Sequence, residues 1–218
     1  SLLNPDRPLS NEVQIRVVET LSSAAKQLCD WQHQTVALTA IARDIHGPHR
    51  KTILQDALSA ANSIGEADER ATALIEILPL LAKGRRETLA ADLLQSVHSR
   101  SSRRWDRRLD NLARLAAYVD NSGKEIVLSA FTDAQKRLGN DLTVFFGLRT
   151  LAYSLVGEAR EAIVRNALAL ANSIDFEPSR ASALGDLAPL LKTKQRKQLW
   201  QTADAFTSKA SRASLRVK

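Results

Sequence analysis

A chain of 218 residues that is 44% hydrophobic and carries a formal net charge of +7 is long enough to bury a sizeable core and too apolar to be disordered. Eight Gly and six Pro are too few for a many-turned β protein, and 5% aromatics beside abundant Ala and Leu point to an all-α fold. Glu76 and Pro79 interrupt "ATALIEILPLLA", so no apolar run approaches the roughly 18 residues of a membrane span, and "SLLNPDRPLSNEV" lacks the basic start and apolar stretch of a signal peptide.

Residues 1–10 read as an N-terminal linker, after which two apolar patterns alternate. A helix near 11–29 is built on Val17 and Val18, and one near 32–46 follows on Leu38, Ile41 and Ile45. The order then returns near 50–64 on Ile53 and Leu54, and near 68–82 on Leu74, Ile77 and Leu81. Leu89 and Ala90 anchor 86–99, and Leu112, Leu115 and Val119 anchor 105–120. Val127 and Leu128 serve 123–138, while Leu148, Leu151 and Leu155 serve 141–156. Ile163 and Val164 serve 159–174, Leu184, Leu187 and Leu191 serve 178–192, and Leu199 and Trp200 serve 195–210. Apolar residues at i, i+3 and i+7 form one stripe of a helix. Gly65, Gly84, Gly123, Gly139 and Gly157 fall at or beside the proposed ends, where a left-handed backbone costs Gly little.

The anchors Leu38, Leu74, Leu112, Leu148 and Leu184 are spaced 36, 38, 36 and 36, and the alternate set repeats at 36, 36, 38, 36 and 36. The likeness of "ALSAANSI" at 57–64 to "ALALANSI" at 167–174 is this period seen across three repeats, at an offset of 110. The two extra residues fall in "HSRSSRRWDRR". Ala37, Ala73, Gly147 and Ala183 precede four of the five anchors, with Asn111 the exception, and Ala57, Ala61, Ala167 and Ala171 line the alternate helices, so neighbouring helices are expected to approach closely. A pair of such helices cannot bury both faces alone, whereas stacked pairs share a core. The sequence therefore predicts an all-α, right-handed α-solenoid of about five to six helix pairs with a repeat of about 36 residues. The expected domains are the 1–10 linker, the repeat domain over 11–210 and a basic tail over 211–218.

The unit "RASALGDLAPLL…RKQLWQTADAF" resembles the helix-pair repeats of HEAT-like α-solenoids, in which a Pro often kinks the first helix. Pro79 and Pro189 hold equivalent places, while Arg43, Ala117 and Tyr153 stand there in the other repeats. The tetratricopeptide repeat is close in length, but its Trp, Gly, Tyr and Pro pattern is absent. The "RAxALxxLAPxL" pattern also resembles arrays C-terminal to bacterial signal-transduction ATPases of the STAND class. That resemblance implies a sensor or scaffold portion of a larger cytoplasmic protein, an expectation to which the absence of Met adds.

Neither "GxxxxGK" nor "GxGxxG" occurs, so no phosphate-cradling loop is expected. Cys29 and His33, and His46 and His49, each lack an evident third ligand, so no metal or cofactor is expected. Glu66, Asp68 and Glu69 sit at a helix start, where carboxylates cap, and no nucleophile has an adjacent base; the chain is not expected to be an enzyme. A single Cys excludes an internal disulfide and suits a reducing compartment, taken as the cytoplasm.

Charge separates by edge. The connections at 46–51, 82–87 and 192–197 are basic, giving a secondary basic edge of Arg50, Lys51, Arg85, Arg86, Lys192, Lys194, Arg196 and Lys197, whereas those at 29–34, 65–70, 139–142 and 175–180 lean acidic. The exception on the acidic edge is "SRSSRRWDRR" (99–108), with Arg100, Arg103, Arg104, Arg107 and Arg108 around Trp105. Guanidinium groups bind carboxylates or phosphates and an indole anchors a partner or a base, so these six residues are the expected partner-binding site. The structural alternative makes Arg108 a ladder residue with Arg70 and Arg180, and Trp105 a core cover like Trp31. A protein partner is expected first, nucleic acid second and a membrane not at all.

Overall fold

A computed structural model describes residues 11–99, 104–139 and 141–203. The linker, Arg100, Arg103, the side chain of Trp200 and the basic tail lie outside the described residues. The described residues are mostly helical, with no strand among them, and form eleven α-helices. In order these are α1 Asn11–Lys26, α2 Trp31–Asp44, α3 Pro48–Asn62, α4 Ala67–Ile77, α5 Lys83–His98 and α6 Trp105–Leu115. There follow α7 Asn121–Leu138, α8 Leu142–Ser154, α9 Gly157–Asn172, α10 Glu177–Leu187 and α11 Thr193–Ala203. Each begins within three residues of its sequence expectation; α4, α6 and α10 end five residues before theirs, and the expected end of the last helix, at 210, lies outside the described residues.

The chain divides into two compact units, Ser1–Arg86 and Glu87–Lys218. In the first, α2 packs against α1, α3 and α4, and α3 also meets α4. In the second, α6 meets α7 and α8, α8 meets α7, α9 and α10, and α9 meets α10. The even-numbered helices thus pack on one another as well as on their odd-numbered neighbours. All five anchors, Leu38, Leu74, Leu112, Leu148 and Leu184, are buried, as are Ala57, Ala61, Ala167 and Ala171. Helices approach closely at Gly147, where an added Cβ would stand 2.7 Å from Phe131 Cε1 and 3.1 Å from Leu109 Cβ.

Two kinds of polar contact close the helix ends. Carboxylates cap N-termini: Asp30 accepts from Gln32 N–H, Glu66 from Asp68 and Glu69 N–H, and Asp141 from Thr143 N–H. The acidic connections are therefore largely caps. At Asp141, hydrogen bonds from the Thr143 side chain and backbone hold the carboxyl below its ordinary range. Guanidinium groups close C-termini, where carbonyls lack partners. Arg70 donates to Ile64 O at 2.8 Å, Arg108 to His98 O at 2.7 Å and Arg180 to Ile174 O at 3.0 Å. Gln34 makes the corresponding bond to Lys26 O.

Two details differ from the sequence reading. Pro79 and Pro189 do not kink a continuing helix: α4 and α10 stop, and 3₁₀ turns at Leu78–Leu80 and Ala188–Leu190 take over. Proline lacks the N–H for the next i→i−4 bond and its ring crowds the preceding turn, so the chain tightens instead. Among the five glycines placed at helix ends, Gly139 and Gly157 alone take positive φ. Gly123 lies inside the first turn of α7, where its missing side chain makes room for Val119 and Leu94.

Candidate interaction surface

The even-numbered helices leave a cleft in each unit. In the first, α2 and α4 wall about 380 Å³ lined by Thr39, Ala40, Arg43 and Glu76 among others. In the second, α8 and α10 wall about 630 Å³ with Arg149, Thr150, Tyr153 and Asp186 in the lining. These two sets of four correspond one to one at the offset of 110, so the same positions shape both clefts. Their chemistry differs. The first cleft places Arg43, Glu69 and Glu76 around Val36, while the second carries the aromatic ring of Tyr153 where the first has Arg43.

That difference originates in α8, "LTVFFGLRTLAYS", whose one charged residue is Arg149. Phe145, Leu148, Leu151 and Ala152 point into the core. On its other side, Leu142 is 39% exposed, Phe146 47% and Tyr153 57%, at helical spacing along one stripe. Arg149 lies over the Phe146 ring at 5.2 Å and pairs with the largely buried Asp186 of α10. Thr150 donates to Asp110 of α6 at 3.2 Å. Three even-numbered helices thus hold the stripe in a fixed frame, and the Arg149–Asp186 pair neutralises the charge beside it.

The arginine-rich corner is partly structural. Trp105 opens α6 half-buried, with the Arg108 guanidinium 4.8 Å and the Arg137 guanidinium 5.9 Å from its ring. Arg108 also closes the end of α5 through His98, so it holds the fold as Arg70 and Arg180 do. Arg104 is exposed, with Asp106 at 3.9 Å, and Arg107 is half-buried. Trp31, at the position equivalent to Trp105, is 49% exposed and covers little.

The secondary basic edge separates in the same way. Arg50 donates to Ala42 O at 3.1 Å and Arg196 to Leu191 O at 3.2 Å, closing α2 and the turn after α10. Lys192 pairs with Glu161 at 2.6 Å; the lysine's hydrogen bond and charge hold that carboxyl below its ordinary range. Lys51, Arg85, Lys194 and Lys197 are exposed, and Arg86 is half-buried.

Sequence reasoning missed Phe146, Arg149, Tyr153, Asp186 and Arg137. Comparing equivalent positions contains a signal for two of them. Phe146 stands where Val36, Thr72, Asp110 and Ser182 stand in other repeats, and Tyr153 where Arg43, Ala117 and two prolines do.

Among the described residues no group of three or more His, Cys, Asp or Glu is placed to hold a metal ion, and no helix is long and apolar enough to cross a membrane. His33 Nδ1 lies 2.6 Å from the capping carboxylate of Asp30, and Cys29 is an exposed thiol. Comparison with protein-family models, curated proteins and solved structures found no match.

Proposed function

We propose that the chain is a right-handed α-solenoid of helix pairs about 36 residues long, serving as a non-catalytic scaffold or sensor domain that docks a protein partner. A reducing, cytoplasmic setting suits its single exposed Cys29. The array is supported by the recurrence of buried anchors, arginine clamps, proline turns and clefts at equivalent positions.

The observation that carries the function is α8. α8 carries a single charged residue, already paired, yet its stripe of Leu142, Phe146 and Tyr153 is uncovered. Covering two half-exposed aromatic rings contributes about 2 kcal/mol each at roughly 25 cal/mol per Å². That is the scale of an interface hot spot. The Arg149–Asp186 pair orients one ring beside the cleft, and the framed helices reduce the ordering cost of binding.

Affinity capture with the wild type and a Phe146→Ser/Tyr153→Ser variant, both shown to be folded, tests the reading. A protein retained by the wild type and lost by the variant is the expected result. The same proteins retained by both would remove α8 as the docking element, and capture of nucleic acid alone would remove the protein partner.

A further inference from the structure

We infer that the corner formed by the start of α6 and the end of α7 is a second docking surface, separate from α8, that takes an acidic peptide segment. Asp30, Glu66 and Asp141 supply carboxylates to the first turns of α2, α4 and α8. At α6 the capping position is Arg104, which makes no side-chain cap. A positive residue beside the positive end of a helix is an unfavourable choice for folding alone.

Charge accumulates around it. Between residues 104 and 108 three arginines stand against Asp106, and folding brings in Arg137 from the last turn of α7. Nothing in the spacing of the sequence joins Arg137 to Trp105; the tertiary fold does. The indole thus carries two guanidinium groups near its ring, one clamped by His98 O and one exposed. Stacking on an indole fixes the plane of a guanidinium and leaves its edge N–H groups directed outward, the geometry for a two-point contact with a carboxylate.

The same crowding of the ring by guanidinium groups separates a protein partner from nucleic acid. A base needs an open aromatic face, and here guanidinium groups compete for the Trp105 ring. An acidic peptide requires only the outward N–H edges. Arg104 and Arg137 are the exposed members and the ones a ligand meets first.

The test is fluorescence anisotropy of a labelled oligo-glutamate peptide, with single-stranded RNA of equal charge as comparison, titrated with the whole chain at near-physiological salt. Two double variants are compared: Arg104→Ala/Arg137→Ala at the corner and Lys194→Ala/Lys197→Ala at an exposed basic site elsewhere. The expected result is saturable peptide binding that weakens roughly tenfold or more in the arginine variant and little in the lysine variant. Equal weakening in both variants would assign the binding to net charge and overturn the proposal. So would absence of saturable peptide binding, or RNA binding tighter than the peptide's and lost in the arginine variant. Failure here leaves the α8 reading standing, because neither variant touches α8.

Discussion

Gly147 shows how little space some positions allow. Its place before the anchor Leu148 is filled by Ala183 in a later repeat, yet a Cβ at 147 would stand 2.7 Å from the Phe131 ring. Replacing Gly by Ala in a helix ordinarily stabilises by about 1 kcal/mol. At Gly147 overpacking opposes that gain with about 1–3 kcal/mol. We predict that Gly147→Ala lowers the melting temperature; an increase would mean that Phe131 moves aside freely. Leu112→Ala, in a fully buried anchor, is predicted to cost about 2–5 kcal/mol in denaturant unfolding. At Asp141 the sign follows from its lowered pKa: the stabilisation is present above the ordinary carboxylate value and is lost as pH falls through the folded-state value. Asp141→Ala should therefore melt below the wild type at neutral pH, with the gap narrowing below about pH 4. A gap independent of pH would show that the cap acts through packing rather than charge.

At the scale of elements, the eleven helices were legible because each carries an apolar stripe at 3.6-residue spacing, and that spacing is visible in the letters. The arginine ladder was legible for the same reason: Arg70, Arg108 and Arg180 recur at one position, and each reaches back to a carbonyl at or just beyond the end of the preceding helix. Arg180→Ala is expected to cost about 1–2 kcal/mol by leaving Ile174 O without its charged donor. The exposed face of α8 was not legible, since an apolar letter signals a core position whether or not anything covers it. Phe145 and Phe146 are adjacent and chemically identical, yet one is buried and the other 47% exposed. Arg137 was hidden for a different reason: its partner Trp105 lies thirty-two positions away on another helix. Proline at 79 and 189 signalled the site of a disruption, while its form, a 3₁₀ turn, depends on how the next helix is entered.

At the scale of the whole molecule, a net charge of +7 points to acidic partners in general, but the structure spends part of that charge internally. Arg50, Arg70, Arg108, Arg180 and Arg196 close helix ends or the turns after them, and Arg149 and Lys192 are paired with carboxylates. A basic composition therefore overstates how much charge is offered to a ligand. Neutral contact at α8 and cationic contact at the Trp105 corner differ in salt response, since screening weakens the second far more than the first. Docking at α8 is tested directly by site-specific photo-crosslinking from position 153, with position 55 on α3, also exposed, as the control. A discrete crosslink to one protein from 153 and none from 55 is expected. Crosslinks within the chain alone, or equal crosslinks from both positions, would contradict it.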